Sequence, residues 1–425
     1  MKSQGKAGVF TAGLAMAVWV PVGGQLYLFE ILAPLLVLIN WKTLSGYPRL
    51  KRIMLLGLLW AVAQLLSDSL HHLSLSEILK GQALILFLLI DLLAIIGIVR
   101  KEIDRLVWLT AGFGAATLVG FVVQPNEYAA GLPWKFGIGG GISILVLVLS
   151  TLPRVRSTTL IFVALLASAN LYLGSRAQSL VLGAAVAATL MSRISRAGAR
   201  RVFAFVCLAI VLPSSLIVYS QLATSGHLGT DTEIKNQIQT SGMLGVLGGR
   251  PEFVYAGYAV ITFPIMGLGS NALDDGGVLD KGSQALIRLG YSPESLVYSL
   301  RHPYEVPLHS YMLSALARSG VLAGPFWLTA LFFLFRALLR VRRQPPEQRL
   351  FLYFLFFSAL WDLNFSPLGS SARFLFALEM CAAMILIEKP KERNVHDSDD
   401  FVQSGGLRAS NDRVDPAAAT RGGRR

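Results

Sequence analysis

Apolar segments long enough to approach or reach a membrane span alternate with short basic loops along most of this chain. A helix needs about 20 mostly apolar residues to cross the hydrocarbon core of a bilayer. The composition agrees, since 54% of the residues are hydrophobic, 15% are charged and the mean hydropathy is +0.57. We therefore expect an all-α, polytopic membrane protein of about twelve transmembrane helices. The candidate spans lie near 8–20, 25–40, 53–67, 80–99, 105–123, 136–152, 157–173, 177–192, 201–219, 318–337, 349–363 and 372–387.

The distribution of basic residues predicts the orientation of these spans. With the N-terminus inside, 28 of the 38 Lys and Arg residues fall at the two termini and in alternate loops. The positive-inside rule then predicts a bacterial inner-membrane protein with both termini in the cytoplasm. The net charge of +13 is thus explained by topology and by anionic membrane lipid, and it does not indicate nucleic acid.

Two segments are too polar to belong to the membrane. Residues 220–309 form a large periplasmic loop inserted within a transmembrane domain that covers 1–388, and short helices are expected near 251–263 and 283–299. Loops this long usually carry function. The tail, 389–425, is rich in Asp, Ser, Gly and Arg, so we expect a disordered cytoplasmic segment.

Three residues on the predicted outer side suit chemistry on an anionic lipid. Arg176 lies at the end of a span, Arg250 precedes Pro251 where a helix would begin, and His309 lies where the chain returns to the bilayer. Guanidinium groups and helix N-termini bind phosphate, and imidazole is a general base near neutral pH. Each residue also has a plainer interpretation as a snorkelling or solvated side chain at the interface.

Other polar residues are weaker candidates. Lys80 begins a span on the outer side and is a possible auxiliary to a phosphate site, although snorkelling explains it equally simply. Asp91, about 16 Å deeper along the same helix, is an intramembrane acid, as is Glu30. Both can instead hydrogen-bond neighbouring helices. Asp362 and Arg373 flank the last outer loop, where they could pair. The pair Asp274-Asp275 is interpreted as a solvated turn and not as a metal site.

Four short motifs follow one another in a characteristic order. They are Leu173-Gly174-Ser175-Arg176, then Gly249-Arg250-Pro251, then Pro264-Ile265-Met266-Gly267-Leu268-Gly269, and last Leu308-His309-Ser310-Tyr311-Met312-Leu313 followed by Gly320-Val321-Leu322-Ala323-Gly324. Their order and topology resemble the O-antigen ligase and polymerase superfamily. The resemblance covers about 157–324, and the earlier spans match in architecture alone. Many members have Asn where this chain has Ser310.

The resemblance implies a GT-C-like membrane fold and a metal-independent, inverting glycosyltransferase without a cofactor. It implies that the enzyme takes a glycan from undecaprenyl diphosphate on the periplasmic face and joins it to an acceptor sugar hydroxyl. By motif, Arg176 and Arg250 would hold the diphosphate and His309 would activate the acceptor. Polymerases of O-antigen or exopolysaccharide use another lipid-linked repeat as acceptor, sometimes with a chain-length regulator, whereas ligases use lipid A-core. We slightly prefer a polymerase, because nothing in the sequence marks a lipid A-core site.

A transporter or lipid flippase is the alternative from a different class. Transporters place charged residues near the midplane of the membrane, often in broken helices and in two related halves. Glu30 and Asp91 fit that description in part, but the basic residues and histidine on the outer side do not. A cavity around Arg176, Arg250 and His309 would favour the enzyme, and a charged path through Asp91 would favour transport.

Overall fold

Helices account for most of the chain in the computed structural model, and the described residues contain one two-stranded hairpin. The model describes residues 3–21, 25–123, 127–152, 156–193, 220, 221, 223–226, 233, 236, 250–274, 276–293, 296, 304–369 and 371–388. The expected span 201–219 and the tail 389–425 lie outside these residues, as does much of the loop between 227 and 249.

The first half of the chain supplies ten helices among the described residues. They are α1 Ser3–Ala15, α2 Leu28–Ile39, α3 Trp41–Ser45, α4 Pro48–Leu70, α5 Leu75–Val99, α6 Ile103–Val123, α7 Glu127–Gly131, α8 Gly139–Leu149, α9 Arg156–Tyr172 and α10 Arg176–Arg193. A hairpin of β1 Trp19–Pro21 and β2 Gln25–Tyr27 joins α1 to α2, and a π-helical turn, Trp134–Ile138, leads into α8.

The second half adds six described helices. They are α11 Glu252–Thr262, α12 Val278–Arg288, α13 Tyr311–Ser319, α14 Gly324–Leu338, α15 Pro346–Phe365 and α16 Ala372–Glu388. Single 3₁₀ turns, Val321–Ala323 and Val341–Arg343, extend α14 at its two ends.

Within the described residues, four segments are long and apolar enough to cross a membrane: α4, α5, α6 and the continuous stretch Val321–Arg343. Shorter apolar helices occur at Leu28–Ile39, Trp134–Leu149 and Thr158–Tyr172. Many aliphatic side chains on these helices are exposed, as expected where the surrounding solvent is lipid. The chain is thus a mostly helical protein with membrane-spanning character, while the count of twelve spans stays a prediction.

The first two expected spans, 8–20 and 25–40, are not continuous helices. Helix α1 ends at Ala15, and Trp19 then pairs with Tyr27 in the antiparallel hairpin. Aromatic and β-branched residues favour strands, and Pro21 has no amide hydrogen to continue a helix. Helix α2 spans 12 residues, or about 18 Å, which is shorter than a full membrane span. The extended residues of the hairpin continue the chain beyond α1 and before α2.

The large loop carries a small apolar core of its own. Tyr255, Ala259, Leu268, Val278 and Leu286 are all buried in it. Helix α11 matches the expected helix at 251–263.

The second expected loop helix, at 283–299, overlaps α12, which begins earlier at Val278 and ends at Arg288, and part of its second half lies outside the described residues. The cause of the earlier start is Asp274, whose Oδ1 accepts hydrogen bonds from the amides of Val278 and Leu279. Asp274 is therefore a turn residue, in line with its interpretation from sequence.

Candidate functional site

Ser310 places His309 at the C-terminal end of α15. The Ser310 hydroxyl donates to the carbonyl oxygen of Leu363 at 2.7 Å and accepts from the amide of Leu313 at 3.1 Å, so it also caps α13. A serine at this position satisfies an otherwise unpaired helix amide. The half-buried His309 directly precedes this anchored residue. The backbone of His309 therefore lies next to the last turn of α15, one residue before the contact of Ser310 with Leu363.

Arg250 reaches the same end of α15 from the large loop. Its guanidinium carbon lies 6.0 Å from the centre of the Trp361 ring, and its charge interacts with the carboxylate of Asp362. The rings of Phe253 and Phe365, 6.1 Å apart, hold the start of α11 beside the end of α15. Arg250 therefore lies next to an aromatic face and an acid.

Arg176 lies level with this end of α15 because α10 and α15 pack antiparallel. The guanidinium of Arg349, near the start of α15, contacts Ser192 at the far end of α10 with 3.4 Å hydrogen bonds. Sixteen residues separate Ser192 from Arg176, and sixteen separate Arg349 from Phe365, or about 24 Å along each helix. Arg176 Nη2 donates to Asn236 Oδ1 at 2.9 Å.

The three residues singled out by sequence thus lie near the level of the C-terminal end of α15: Arg250 by its contact with Trp361, His309 through Ser310 and Arg176 by the packing of α10. We call this region, defined by Arg176, Arg250, His309 and Asp362, the α15 end. Each of these side chains is half-buried. The region holds two guanidinium groups, one imidazole and one carboxylate, so it can bind an anion and exchange a proton.

Asp362 is a component of the α15 end that the sequence did not assign to it. Its carboxylate accepts hydrogen bonds from Ser366 at 2.5 Å and Ser358 at 3.4 Å, both on or next to its own helix. We expected Asp362 to pair with Arg373, and this prediction was wrong: among the described residues, Arg373 forms its ion pair with Glu30. Spacing in sequence did not reveal that Arg250 would be the cation near Asp362.

Two glycine-containing segments of the motifs pack directly on each other. The amides of Leu268 and Gly269 donate to the carbonyls of Ala317 and Arg318, at 2.8 and 3.0 Å. Gly320 has φ +72, and a Cβ there would lie 1.9 Å from the carbonyl oxygen of Ile265. The motif around Gly267 therefore serves to dock the large loop onto the start of the span Val321–Arg343.

A buried polar network joins this contact to α4. Asp68 accepts from the Gln64 amide at 2.8 Å, from the Ser270 amide at 2.7 Å and from the Ser270 hydroxyl at 2.8 Å. Trp60 Nε1 donates to the Ser319 hydroxyl, which donates in turn to Gln64. The sequence alone did not predict a role for Asp68, since an acid at the end of a span is usually solvated.

Arg318 is half-buried beside this network. Burial lowers the pKa of Arg318, while the carboxylates of Glu305 and Asp68 act in the opposite direction. This guanidinium therefore supplies a positive charge close to the buried carboxylate of Asp68.

The two auxiliary candidates, Lys80 and Asp91, have their described contacts with residues outside the α15 end. Asp91 is fully buried and interacts electrostatically with Glu30 and Arg373. Glu30 and Arg373 form a buried ion pair of 2.5 Å. Lys80 is exposed, with Glu77 as a nearby carboxylate. None of the contacts described for these residues connects them to Arg176, Arg250 or His309.

No known protein family matches this chain, and no curated protein is significantly similar to it.

Proposed function

We propose that this chain is an inverting membrane glycosyltransferase that takes oligosaccharide units from undecaprenyl diphosphate and joins them to an acceptor sugar on the periplasmic face. The observation that supports the proposal is that Arg250 contacts Trp361, that Ser310 next to His309 bonds to Leu363, and that the packing of α10 puts Arg176 at the level of the same end of α15. These residues come from three separate parts of the chain. A purely structural scaffold gives no reason to collect two arginines and a histidine there.

Each group has a distinct role in the proposed reaction. His309 removes the proton from the acceptor hydroxyl as its oxygen bonds to the anomeric carbon of the donor. The bond between that carbon and the phosphate oxygen breaks, and undecaprenyl diphosphate leaves with the bonding electrons. Arg176 and Arg250 stabilise the negative charge that develops on the leaving diphosphate.

Asp362 fits this scheme as a positioning residue. A carboxylate beside Arg250 orients the guanidinium and partly balances its charge before substrate binds. Trp361 presents an apolar ring next to the same arginine. Aromatic side chains of this kind can pack on sugar rings or isoprenoid chains, since they combine an apolar face with a polar edge.

The acceptor separates two versions of the proposal. A polymerase of O-antigen or exopolysaccharide would join one lipid-linked unit to another, whereas an O-antigen ligase would use lipid A-core. We favour the polymerase slightly. Deletion of the gene followed by analysis of lipid-linked intermediates distinguishes them: accumulated single repeats on core indicate a polymerase, and accumulated long chains on undecaprenyl diphosphate indicate a ligase.

Substitutions in the complemented deletion strain test the mechanism. His309→Ala should abolish glycan transfer while the protein still inserts and accumulates normally. Arg176→Lys should also fail, since an ammonium group cannot replace the bidentate fork of a guanidinium. His72→Ala and Arg288→Ala are matched controls, because both side chains are exposed outside the α15 end. Normal long-chain polysaccharide in the His309→Ala strain would rule out the general-base role.

A transporter or flippase remains the second candidate, because Glu30, Asp91 and Arg373 form a buried charged cluster. Buried acids within membrane helices often carry ions or protons. Asp91→Asn should then abolish transport of lipid-linked glycan in vesicles, whereas His309→Ala should leave it intact. Retained polysaccharide synthesis in the Asp91→Asn strain would argue against this candidate.

A further inference from the structure

A basic cavity lies at the opposite end of the helices from His309. Its volume is about 500 Å³, and its charged lining consists of Arg49, Arg52, Lys101, Arg336 and Glu388. Helix α4 has 23 residues, and 19 of them separate Arg49 from Asp68, so roughly 30 Å lies between this cavity and the docked large loop. The cavity is therefore unrelated to the α15 end.

The cavity is assembled from the ends of four helices. Arg49 and Arg52 lie in the first turns of α4, Lys101 follows α5, Arg336 lies in the last turn of α14, and Glu388 ends α16. Four cations face one carboxylate, which leaves an excess of three positive charges in a concave site. Like charges in such proximity repel one another unless an anion joins them.

One of these cations already has a structural role. Arg49 Nη1 donates to the carbonyl oxygen of Ile387 at 3.0 Å, and Arg340 adds two bonds to the carbonyls of Leu386 and Ile387. Basic side chains at a helix C-terminus satisfy the last carbonyls in this way. The capping of α16 therefore accounts for Arg49 and Arg340.

The other three cations are not explained by capping. Arg52, Lys101 and Arg336 are exposed, and among the described residues none of them is within 4 Å of a carboxylate oxygen; the charge of Lys101 interacts with Glu388, and Arg336 lies over the ring of Phe332. Lys101 lies over the ring of Tyr47, with its ammonium nitrogen 4.9 Å from the ring centre. These three charges are available to a ligand.

Exposed apolar side chains on the helices that line the cavity indicate which kind of ligand it binds. Leu55, one turn deeper along α4 than Arg52, is 68% exposed. Phe332 and Phe335 on α14 are exposed as well. A phospholipid could bind the cations through its phosphates and cover the apolar side chains with its acyl chains. A free phosphate could bind only the cations.

We propose that this cavity binds the headgroup of an anionic phospholipid, with Arg52, Lys101 and Arg336 contacting its phosphates. Guanidinium groups bind phosphate oxygens bidentately, and basic cavities between membrane helices hold diphosphate lipid headgroups. A volume of about 500 Å³ suits a headgroup with two phosphates. The site lies at the end that the basic loops assign to the cytoplasm.

Lipid binding to the purified full-length protein in detergent tests the proposal. Cardiolipin, phosphatidylglycerol, phosphatidylethanolamine and inorganic diphosphate serve as probes, with native mass spectrometry and thermal shift as readouts. The triple variant Arg52→Gln, Lys101→Gln, Arg336→Gln should bind cardiolipin about 100-fold more weakly. Glu388→Gln should bind it about five-fold more tightly, because one repelling charge is gone.

A second triple variant controls for overall charge. Lys42→Gln, Lys51→Gln, Arg342→Gln removes three exposed cations from the same end but outside the cavity lining. It should retain wild-type affinity for cardiolipin. Equal losses in the two triple variants would show that the effect is diffuse surface charge and would overturn the site.

Two further outcomes would also overturn the proposal. Binding of inorganic diphosphate as tightly as cardiolipin would indicate a small-anion site. Equal binding of phosphatidylethanolamine would indicate an apolar contact without phosphate recognition. The unfolding temperature of each triple variant is also measured without lipid. A decrease there would reveal a folding defect, which is thereby distinguished from a loss of lipid binding.

Discussion

The hydroxyl of Ser310 donates a 2.7 Å hydrogen bond to the carbonyl oxygen of Leu363, and this contact joins the residue after His309 to the last turn of α15, which carries Asp362. The same hydroxyl accepts the bond that caps α13. One small side chain therefore determines both where a helix begins and which helix end the preceding residue lies beside.

Replacement of Ser310 by alanine should impair function without removing any proposed catalytic group. Loss of the cap and of the bond to Leu363 should lower the free energy of unfolding by about 1–2 kcal/mol. Thermal unfolding in detergent and polysaccharide chain analysis measure the two effects. Ser310→Thr, which keeps a hydroxyl, is the matched control. Full glycan transfer by the alanine variant would mean that the anchor does not position His309.

Gly320 should tolerate no side chain. Its φ of +72 disfavours an L-residue, and an added Cβ would lie 1.9 Å from the carbonyl oxygen of Ile265. Gly320→Ala should therefore detach the large loop and lower stability by roughly 2–4 kcal/mol. Gly324→Ala is the control, since its Cβ would meet only a leucine methyl group at 3.5 Å. Limited proteolysis of the loop should distinguish the two variants, and equal resistance would contradict this prediction.

Asp68 should stabilise the docked loop more than any exposed polar residue nearby. Asp68→Ala leaves the Ser270 amide and the Gln64 side chain without their acceptor in a buried site, at a cost of about 3 kcal/mol. Faster hydrogen exchange at residues 264–270 is the expected readout. Ser69→Ala should change exchange little, because that hydroxyl is exposed and bonds within its own helix. Unchanged hydrogen exchange at residues 264–270 in Asp68→Ala would show that this network does not hold the large loop in place.

The ion pair of Glu30 and Arg373 should show strong coupling. Arg373→Met leaves a buried carboxylate without its cation and should cost about 3–5 kcal/mol. Adding Glu30→Gln to that variant should recover part of the loss, since no uncompensated charge then remains at this pair. A double-mutant cycle on thermal unfolding measures the coupling. Strict additivity of the two substitutions would show that the pair contributes nothing beyond its separate residues.

Sequence alone located most of the long helices well. Helices α4, α5 and α6 contain apolar runs at the expected positions, because a span is specified locally by the hydropathy of consecutive residues. The exceptions have local causes that a hydropathy window does not register. Strand-forming residues and Pro21 convert the end of the first span into a hairpin, and Asp274 moves the start of α12.

The sequence also determined which residues of the candidate site to examine, since Arg176, Arg250 and His309 were chosen from residue type and topology. Only the tertiary structure decided their neighbours. Asp362 beside Arg250, Glu30 on Arg373 and Asp68 on Ser270 are contacts between distant parts of the chain. Such pairings depend on how helices pack and rotate against one another, and packing is a property of the whole fold. A local sequence pattern determines which face of a helix is apolar. It does not determine which residues from distant parts of the chain pack against that face.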